Sequence, residues 1–143
     1  MHVHIITIGK PKLGYAQAGW AEYLKRLQHY HTVRITHLAD KFAYDDKALL
    51  QAAGNAFKVG LAIEGKAFDS PALAAFLEQR ALDGQETCFM VGGPEGLPPT
   101  ILRACDFQWS LSPLTFPHDL AMVILAEALY RASTINAGQP YHK

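Results

Sequence analysis

The residues of this 143-residue chain that could do chemistry gather in three short segments of its second half. The first is the loop of residues 92–96, which holds three glycines, one proline and Glu95, and which follows an apolar run at residues 87–91. Glycine lacks a Cβ and adopts positive φ at little cost, so such a loop bends sharply and lets a ligand approach its backbone. Ligands of open parallel sheets bind beyond the carboxyl ends of the strands. The loop is predicted to contact a ligand, with a tight structural turn as the alternative.

The second segment, residues 112–118, combines two hydroxyl side chains, two apolar side chains, two prolines and His118. Apolar walls beside hydroxyl and backbone groups suit an adenine-like ring, and the prolines stiffen the path of the chain. The alternative is that the segment only ends one element and begins the next helix. Residue types alone leave these two interpretations open.

The third segment is the C-terminal tail, which consists of Tyr141, His142 and Lys143. Side chains of these types can stack on a base, hydrogen-bond to it and meet a phosphate. Most chain ends fray, however. Residue types alone therefore favour a disordered or merely packed tail.

The other titratable residues favour structural roles. The remaining histidines have no cysteine or carboxylate partners at ligand spacing, so no metal site is predicted. Cys88 and Cys105 form no CxxC pair and are predicted to be reduced, structural thiols. Glu127 and Arg131 are four residues apart in a helical pattern, which predicts an ion pair.

Composition narrows the class of protein. Half of the residues are hydrophobic and the net charge is zero, which predicts one folded domain rather than a disordered chain. No apolar run reaches the length of a membrane span and no basic leader begins the sequence, so a cytoplasmic protein is expected. The neutral charge gives no sign of nucleic-acid binding by itself, although basic residues concentrate in the first half.

Strand and helix patterns alternate along the chain, which predicts an α/β fold with a mostly parallel sheet. Apolar and β-branched runs predict strands at residues 3–8, 33–38, 59–63, 86–91 and 107–111. Helical spacing predicts helices at residues 15–30, 45–57, 69–82, 98–104 and 119–136. The last helix is apolar on more than one stripe, which favours a homodimer that packs through it.

Three motifs together resemble one family. They are GGPEG at residues 92–96, SPLTFPH at residues 112–118, and AEALYRA at residues 126–132 with PYHK at residues 140–143. In this combination the whole chain resembles the H-type ribosomal RNA large-subunit methyltransferases, a minimal family of the SPOUT class. The resemblance implies a single SPOUT methyltransferase domain at residues 1–143. It further implies a parallel-sheet α/β fold with a C-terminal trefoil knot, a rare exception to unknotted topology.

The resemblance also implies an activity. A homodimer of this family binds S-adenosylmethionine and methylates N3 of a pseudouridine in the intersubunit stem-loop of 23S rRNA, on assembled 70S ribosomes. The implied cofactor-binding residues are Leu61, Gly92, Ser112, Pro113, Leu114, Thr115, Phe116 and Pro117. His118 is predicted to be the base or a substrate contact. Tyr141 and His142 are predicted to clamp the target base, from the same subunit or from its partner.

The chain departs from the pattern of the family at several positions. The segment of residues 39–46 is shorter and less basic than the corresponding segment of the family usually is. Ala62 stands where the family commonly has an aspartate, Met122 stands where it commonly has an arginine, and Lys143 stands where it commonly has a terminal arginine. None of these changes falls in the predicted cofactor loops, and the resemblance assigns no role to Glu95. The alternative function is a non-catalytic nucleotide-binding or ribosome-associated α/β module that uses the same loops without methyl transfer.

Overall fold

Five strands form one parallel sheet in the computed structural model, which describes all of residues 1–143. In chain order they are β1 (His2–Ile8), β2 (Thr32–Leu38), β3 (Phe57–Ala67), β4 (Thr87–Val91) and β5 (Phe107–Ser110). Their spatial order is β2-β1-β4-β3-β5, and every pairing is parallel. The loops that follow β4 and β5 therefore lie at the same edge of the sheet as the end of β3.

Helices cover both faces of this sheet. They are α1 (Gly14–Leu27), α2 (Asp46–Ala53), α3 (Ser70–Asp83), α4 (Pro99–Ala104) and α5 (His118–Asn136), with a 3-10 turn at Asp40–Phe42. Successive side chains of a strand point to opposite faces. Accordingly, Ile5 belongs to the core under α1, α3 and α5, whereas Ile6 belongs to the core under α2 and α4. Burial on both faces explains why the central strands are almost continuously apolar.

Local capping determines where the helices begin. The Asp45 carboxylate accepts a hydrogen bond from the Ala48 backbone N–H at 3.0 Å, and the Asp69 carboxylate accepts one from Ala72 at 2.8 Å. Each aspartate satisfies an N–H group of the first helical turn that has no partner within the helix.

The predicted α/β fold with a parallel sheet is confirmed, with one strand longer than expected. β3 reaches Ala67 rather than residue 63, because its register against β5 shifts between Leu61 and Lys66 and the pairing then resumes. Gly65 permits the close approach, since a Cβ there would lie 2.7 Å from the Gln108 carbonyl. The trefoil knot stays a prediction.

Two helices are shorter than their patterns predicted. α1 ends at Leu27 rather than residue 30, because the chain turns there and the Tyr30 N–H donates to the Leu27 carbonyl at 3.0 Å. α2 ends at Ala53 rather than residue 57, because Gly54 takes a φ of 58° and redirects the chain. No helix of the protein is both long enough and apolar enough to cross a membrane.

Candidate functional site

An open cleft of about 500 Å³ lies at the edge of the sheet where β3, β4 and β5 end. Three stretches of chain contribute most of its lining: residues 61–64 of β3, residues 91–97 after β4, and part of residues 111–118 after β5. The parallel strand order brings these stretches together although they are far apart in the sequence. The two loops singled out by their residue types therefore line one cavity.

Most of the predicted cofactor residues line this cleft. Those that do are Leu61, Gly92, Ser112, Leu114, Thr115 and Phe116. Pro113 and Pro117 do not line it; Pro117 instead precedes the first turn of α5. The two prolines restrict the backbone that carries their neighbours.

The glycine loop owes its shape to contacts within itself. The Gly96 N–H donates to the Gly93 carbonyl at 2.9 Å, which closes a tight turn through Pro94 and Glu95. A Cβ on Gly92 would lie 2.3 Å from the Gly96 carbonyl carbon, so only glycine fits there. The loop is thus both a tight structural turn and a wall of the cleft, and the two interpretations of its sequence do not exclude each other.

The segment after β5 is held by its own serine hydroxyls. The Ser110 hydroxyl donates to the Ser112 carbonyl at 3.0 Å, and the Ser112 hydroxyl accepts from the Leu114 N–H at 3.0 Å. This turn leaves Leu114 largely exposed, with 70% of its surface accessible. The cleft therefore has apolar side chains at its rim and backbone polar groups nearby, a combination that suits a purine ring.

His118 begins α5 and lines the cleft. Its side chain is only 16% exposed, and its Nε2 is buried without a hydrogen-bond partner. Its Nδ1 lies 3.8 Å from the Asp119 carboxylate. A buried ring nitrogen with no partner calls for an explanation, and a group that exchanges a proton with a ligand is one.

Asp119 was not singled out by the sequence, yet it anchors the chain beside His118. Its Oδ2 accepts hydrogen bonds from the backbone N–H groups of Lys12 at 2.8 Å and Leu13 at 2.7 Å. Burial raises the pKa of this carboxyl, but the two backbone donors, together with the neighbouring His118 and the Lys12 charge, hold the pKa below its usual value. An ionised carboxylate therefore stands next to the imidazole.

Glu95, to which the resemblance assigns no role, lines the cleft and accepts a hydrogen bond from a residue outside it. The Tyr44 hydroxyl donates to its carboxylate. This bond raises the pKa of Tyr44, so the phenol stays protonated and the carboxylate accepts. Tyr44 lies in the segment between β2 and α2 that departs from the family pattern, and that departure was the only sequence signal for it.

The charges around the cleft are all of one sign. Its charged lining residues are Glu64 and Glu95, and it contains no lysine or arginine. At the start of α4, Pro98 and Pro99 have no backbone N–H to donate. Phosphate groups are held by such donors and by basic side chains. The cleft is therefore poorly suited to a polyphosphate.

The C-terminal tail packs on the far end of α5. The ring of Tyr141 lies 4.7 Å from that of Tyr130, and His142 Nδ1 lies 3.2 Å from an Arg131 guanidinium nitrogen. Arg131 also donates to the Glu127 carboxylate at 2.7 Å, which confirms the predicted ion pair. The structure thus places Tyr141 and His142 together, but it does not bring them to His118.

The distance between tail and cleft follows from helix geometry. Arg131 and His118 are 13 residues apart on α5, which corresponds to about 20 Å at a rise of about 1.5 Å per residue. Tyr141 is half-buried, and burial together with a hydrogen bond to Tyr23 raises its pKa to about 12. The tail is therefore packed on α5 of its own chain, away from the cleft of that chain.

The two cysteines do not line the cleft. Cys88 and Cys105 are both free, and burial raises the pKa of Cys88 to about 12 and that of Cys105 to about 11. Thiols with such values are protonated and unreactive near neutral pH. No group of three histidine, cysteine, aspartate or glutamate side chains in the chain could hold a metal ion.

Comparison with known proteins gives close relatives over the full length. Residues 1–142 match the family described as "Predicted SPOUT methyltransferase". The proteins named Ribosomal RNA large subunit methyltransferase H from Deinococcus deserti and Deinococcus radiodurans are 48% and 46% identical to this chain. The first alignment covers 100% of both chains, and the second covers 100% of this chain and 99% of the relative.

The solved structures agree at the level of the fold. A putative methylase family protein from Neisseria gonorrhoeae superposes with a TM-score of 0.61 at 12% identity, covering 99% of this chain and 86% of that one. Family match, full-length relatives and fold point the same way. The chain belongs to the SPOUT methyltransferase family, and within it to the family of ribosomal RNA large subunit methyltransferase H.

Proposed function

We propose that this protein transfers a methyl group from S-adenosylmethionine to N3 of a pseudouridine in the intersubunit stem-loop of 23S rRNA, on assembled 70S ribosomes in the cytoplasm. The observation that carries the proposal is the cleft itself. The two loops that resemble cofactor loops both line it, and so does His118, whose Nε2 is buried without a hydrogen-bond partner. The names of the full-length relatives, which specify the large ribosomal RNA, support the choice of substrate.

The lining of the cleft fits S-adenosylmethionine. Leu61, Leu114 and Phe116 offer apolar surface for the adenosine, and the backbone around Gly92 and Ser112 offers polar groups for its edges. When bound, this cofactor supplies a methyl group on a positively charged sulfur, which is activated for displacement. The lack of lysine and arginine in the lining suits a donor without phosphates and disfavours a nucleotide-binding module of the usual kind.

The residues of the chain would act by positioning and by proton removal. Methyl transfer would form a bond from N3 to the methyl carbon while the carbon–sulfur electron pair passes to sulfur, and N3 would have to lose its proton. Nε2 of His118 is buried and has no hydrogen-bond partner in the protein, so it would accept that proton once the imidazole turns towards the cleft. Alignment of donor and acceptor supplies much of the remaining rate enhancement, up to about 7–11 kcal/mol in favourable cases.

The proposal includes a homodimer in which the tail acts across subunits. Tyr141 and His142 lie about 20 Å along α5 from His118 of the same chain. Their predicted role as a clamp on the target base therefore requires that they serve the cleft of the partner subunit.

The neutral charge of the chain bears on the form of the substrate. Neutralisation of phosphates supplies most non-specific affinity for RNA. A small protein with no net charge is expected to bind isolated rRNA weakly and to depend on a larger composite surface, which the assembled ribosome presents.

The test uses ribosomes from a strain that lacks this protein. Incubation of 70S particles with the protein and S-adenosylmethionine should add one methyl group to one pseudouridine, as measured by mass spectrometry of 23S rRNA fragments, while naked rRNA should remain largely unmodified. His118→Ala should slow the reaction by about 10²–10⁴-fold, the usual contribution of a general base. His29→Ala, which changes an exposed histidine outside the cleft, serves as the control.

Several outcomes would contradict the proposal. Absence of S-adenosylmethionine binding in a calorimetric titration would favour the non-catalytic module. Equal rates on naked rRNA and on 70S particles would overturn the assignment of the substrate. Unchanged turnover in both His118→Ala and a variant that lacks residues 141–143 would overturn the roles given to those residues.

A further inference from the structure

The charged residues of the cleft bear on its relative affinity for two ligands of different charge. Its lining contains two carboxylates and no lysine or arginine. A ligand with an additional positive charge gains from such surroundings, whereas a neutral ligand of the same shape does not. The methyl donor and its product are such a pair, because loss of the methyl group turns a positively charged sulfonium into a neutral thioether.

Glu95 is the better placed of the two carboxylates to act on this difference. It lies in the tight turn closed by the Gly96 N–H and the Gly93 carbonyl at 2.9 Å, so its backbone is held rigidly. Its carboxylate accepts a hydrogen bond from the Tyr44 hydroxyl, which reaches it from the segment between β2 and α2. Both glutamates are exposed, but Glu64, unlike Glu95, has no hydrogen-bonded or ion-paired partner in the structure.

We propose that Glu95, held by Tyr44, is a specificity-determining residue whose negative charge makes the cleft prefer the cationic methyl donor to its neutral product. This inference rests on the proposed function, because it takes the ligand to be S-adenosylmethionine. Its consequence is that the spent cofactor leaves more readily than the donor. A carboxylate at this position thereby limits inhibition by the product.

The experiment compares three ligands by calorimetric titration of the full-length protein. S-adenosylmethionine carries the sulfonium charge, sinefungin carries an ammonium group in its place, and S-adenosylhomocysteine carries neither. The unmodified protein should bind both cationic ligands about three- to tenfold more tightly than the neutral one, as expected of one or two partly exposed charge pairs. Because sinefungin has no transferable methyl group, its behaviour separates charge from the shape of the methyl.

Three variants assign this preference to one charge. Glu95→Gln removes the charge but keeps an oxygen that can accept a hydrogen bond from Tyr44. It should lower the ratio of the affinity for S-adenosylmethionine to that for S-adenosylhomocysteine by about two- to fivefold. Tyr44→Phe removes the hydrogen bond but keeps the charge, so its ratio should stay above that of Glu95→Gln. Glu78→Gln makes the same charge change on α3, outside the cleft, and should leave the ratio unchanged.

Salt provides a test that needs no variant. The Debye length falls from about 10 Å at 0.1 M to about 3 Å at 1 M salt. The preference of the unmodified protein for both cationic ligands should therefore narrow as salt is added, while the affinity for S-adenosylhomocysteine changes little.

The outcomes separate this inference from the function on which it rests. Equal affinity for all three ligands would overturn the inference and leave the proposed function in place. An unchanged ratio in Glu95→Gln, or equal losses in Glu95→Gln and Tyr44→Phe, would overturn the assignment to the charge of Glu95. Failure of every ligand to bind the unmodified protein would overturn the proposed function and this inference together.

Discussion

Gly92 shows how the shape of the cleft depends on one absent side chain. A Cβ at this position would lie 2.3 Å from the Gly96 carbonyl carbon and 2.4 Å from the Leu97 nitrogen, both of them backbone atoms that cannot rotate away. At the next residue, Gly93, a Cβ would meet only the side chains of Ala43 and Ile8 at 3.6 Å, which is ordinary contact. The two glycines are therefore a matched pair for testing the loop.

We expect Gly92→Ala to lower the free energy of unfolding by about 1–3 kcal/mol, because the turn must open to admit the methyl group. Binding of S-adenosylmethionine should weaken with it, since residues 92–97 line the cleft. Gly93→Ala should change stability by less than about 1 kcal/mol. Urea unfolding and calorimetric titration measure these quantities, and an equal loss in both variants would contradict the close contact at Gly92.

At the scale of the element, α5 carries part of the cleft at one end and the packed tail at the other. Its first turn presents His118 to the cleft and, through Asp119, binds the backbone of the segment between β1 and α1. Its last turns carry Arg131 and the tail packed upon it. The middle of the helix is core, with Met122 and Leu125 fully buried under the sheet. A shift of this helix would therefore move the cleft and the tail together.

We expect Asp119→Ala to lower the free energy of unfolding by about 1–3 kcal/mol, because the N–H groups of Lys12 and Leu13 lose their acceptor. Asp119→Asn keeps an acceptor oxygen and should cost less. Hydrogen exchange supplies the local measurement, in which the amides of Lys12 and Leu13 should lose protection in the alanine variant. Retained protection at both amides would show that the segment is held by other contacts.

At the scale of the whole molecule, partly buried histidines make the stability of the fold depend on pH. The Ser133 hydroxyl donates its proton to the Leu129 carbonyl, so His31 Nε2, 2.8 Å from that hydroxyl, must be the donor of their hydrogen bond. His31 Nδ1 is buried without a hydrogen-bond partner. Burial, followed by repulsion from the N-terminal ammonium, lowers the pKa of His31 to about 4. Burial is also the main cause that lowers the pKa values of His4 and His37.

These histidines should make the protein sensitive to mild acid. A histidine with a lowered pKa in the folded state takes up a proton on unfolding, so its contribution is fully present above pH 6.5 and is lost as the pH falls towards 4. Thermal unfolding between pH 7 and pH 4.5 should therefore show a falling midpoint. His31→Gln, which can still donate to Ser133, should give a shallower slope over the same range, and an unchanged slope would contradict the role of His31.

The sequence by itself determined the order and type of every helix and strand, because these follow from local spacing, caps and glycine or proline positions. Examples are Asp69 before α3 and the apolar run of β4. It also indicated the family, through motifs that are contiguous in the chain. The sequence did not predict where β3 ends. The strand continues because Gly65 lies against the backbone of β5 at Gln108, 43 residues further along the chain.

The tertiary structure alone decided which residues meet. It joined residues 92–97 and residues 111–118 in one cleft, brought Tyr44 to Glu95, and tied Asp119 to Lys12 and Leu13. It also separated the tail from the cleft of its own chain. Such contacts join positions 51 to 107 residues apart in the last three pairs. No local pattern encodes them, because they arise from the parallel order of the strands and the length of α5.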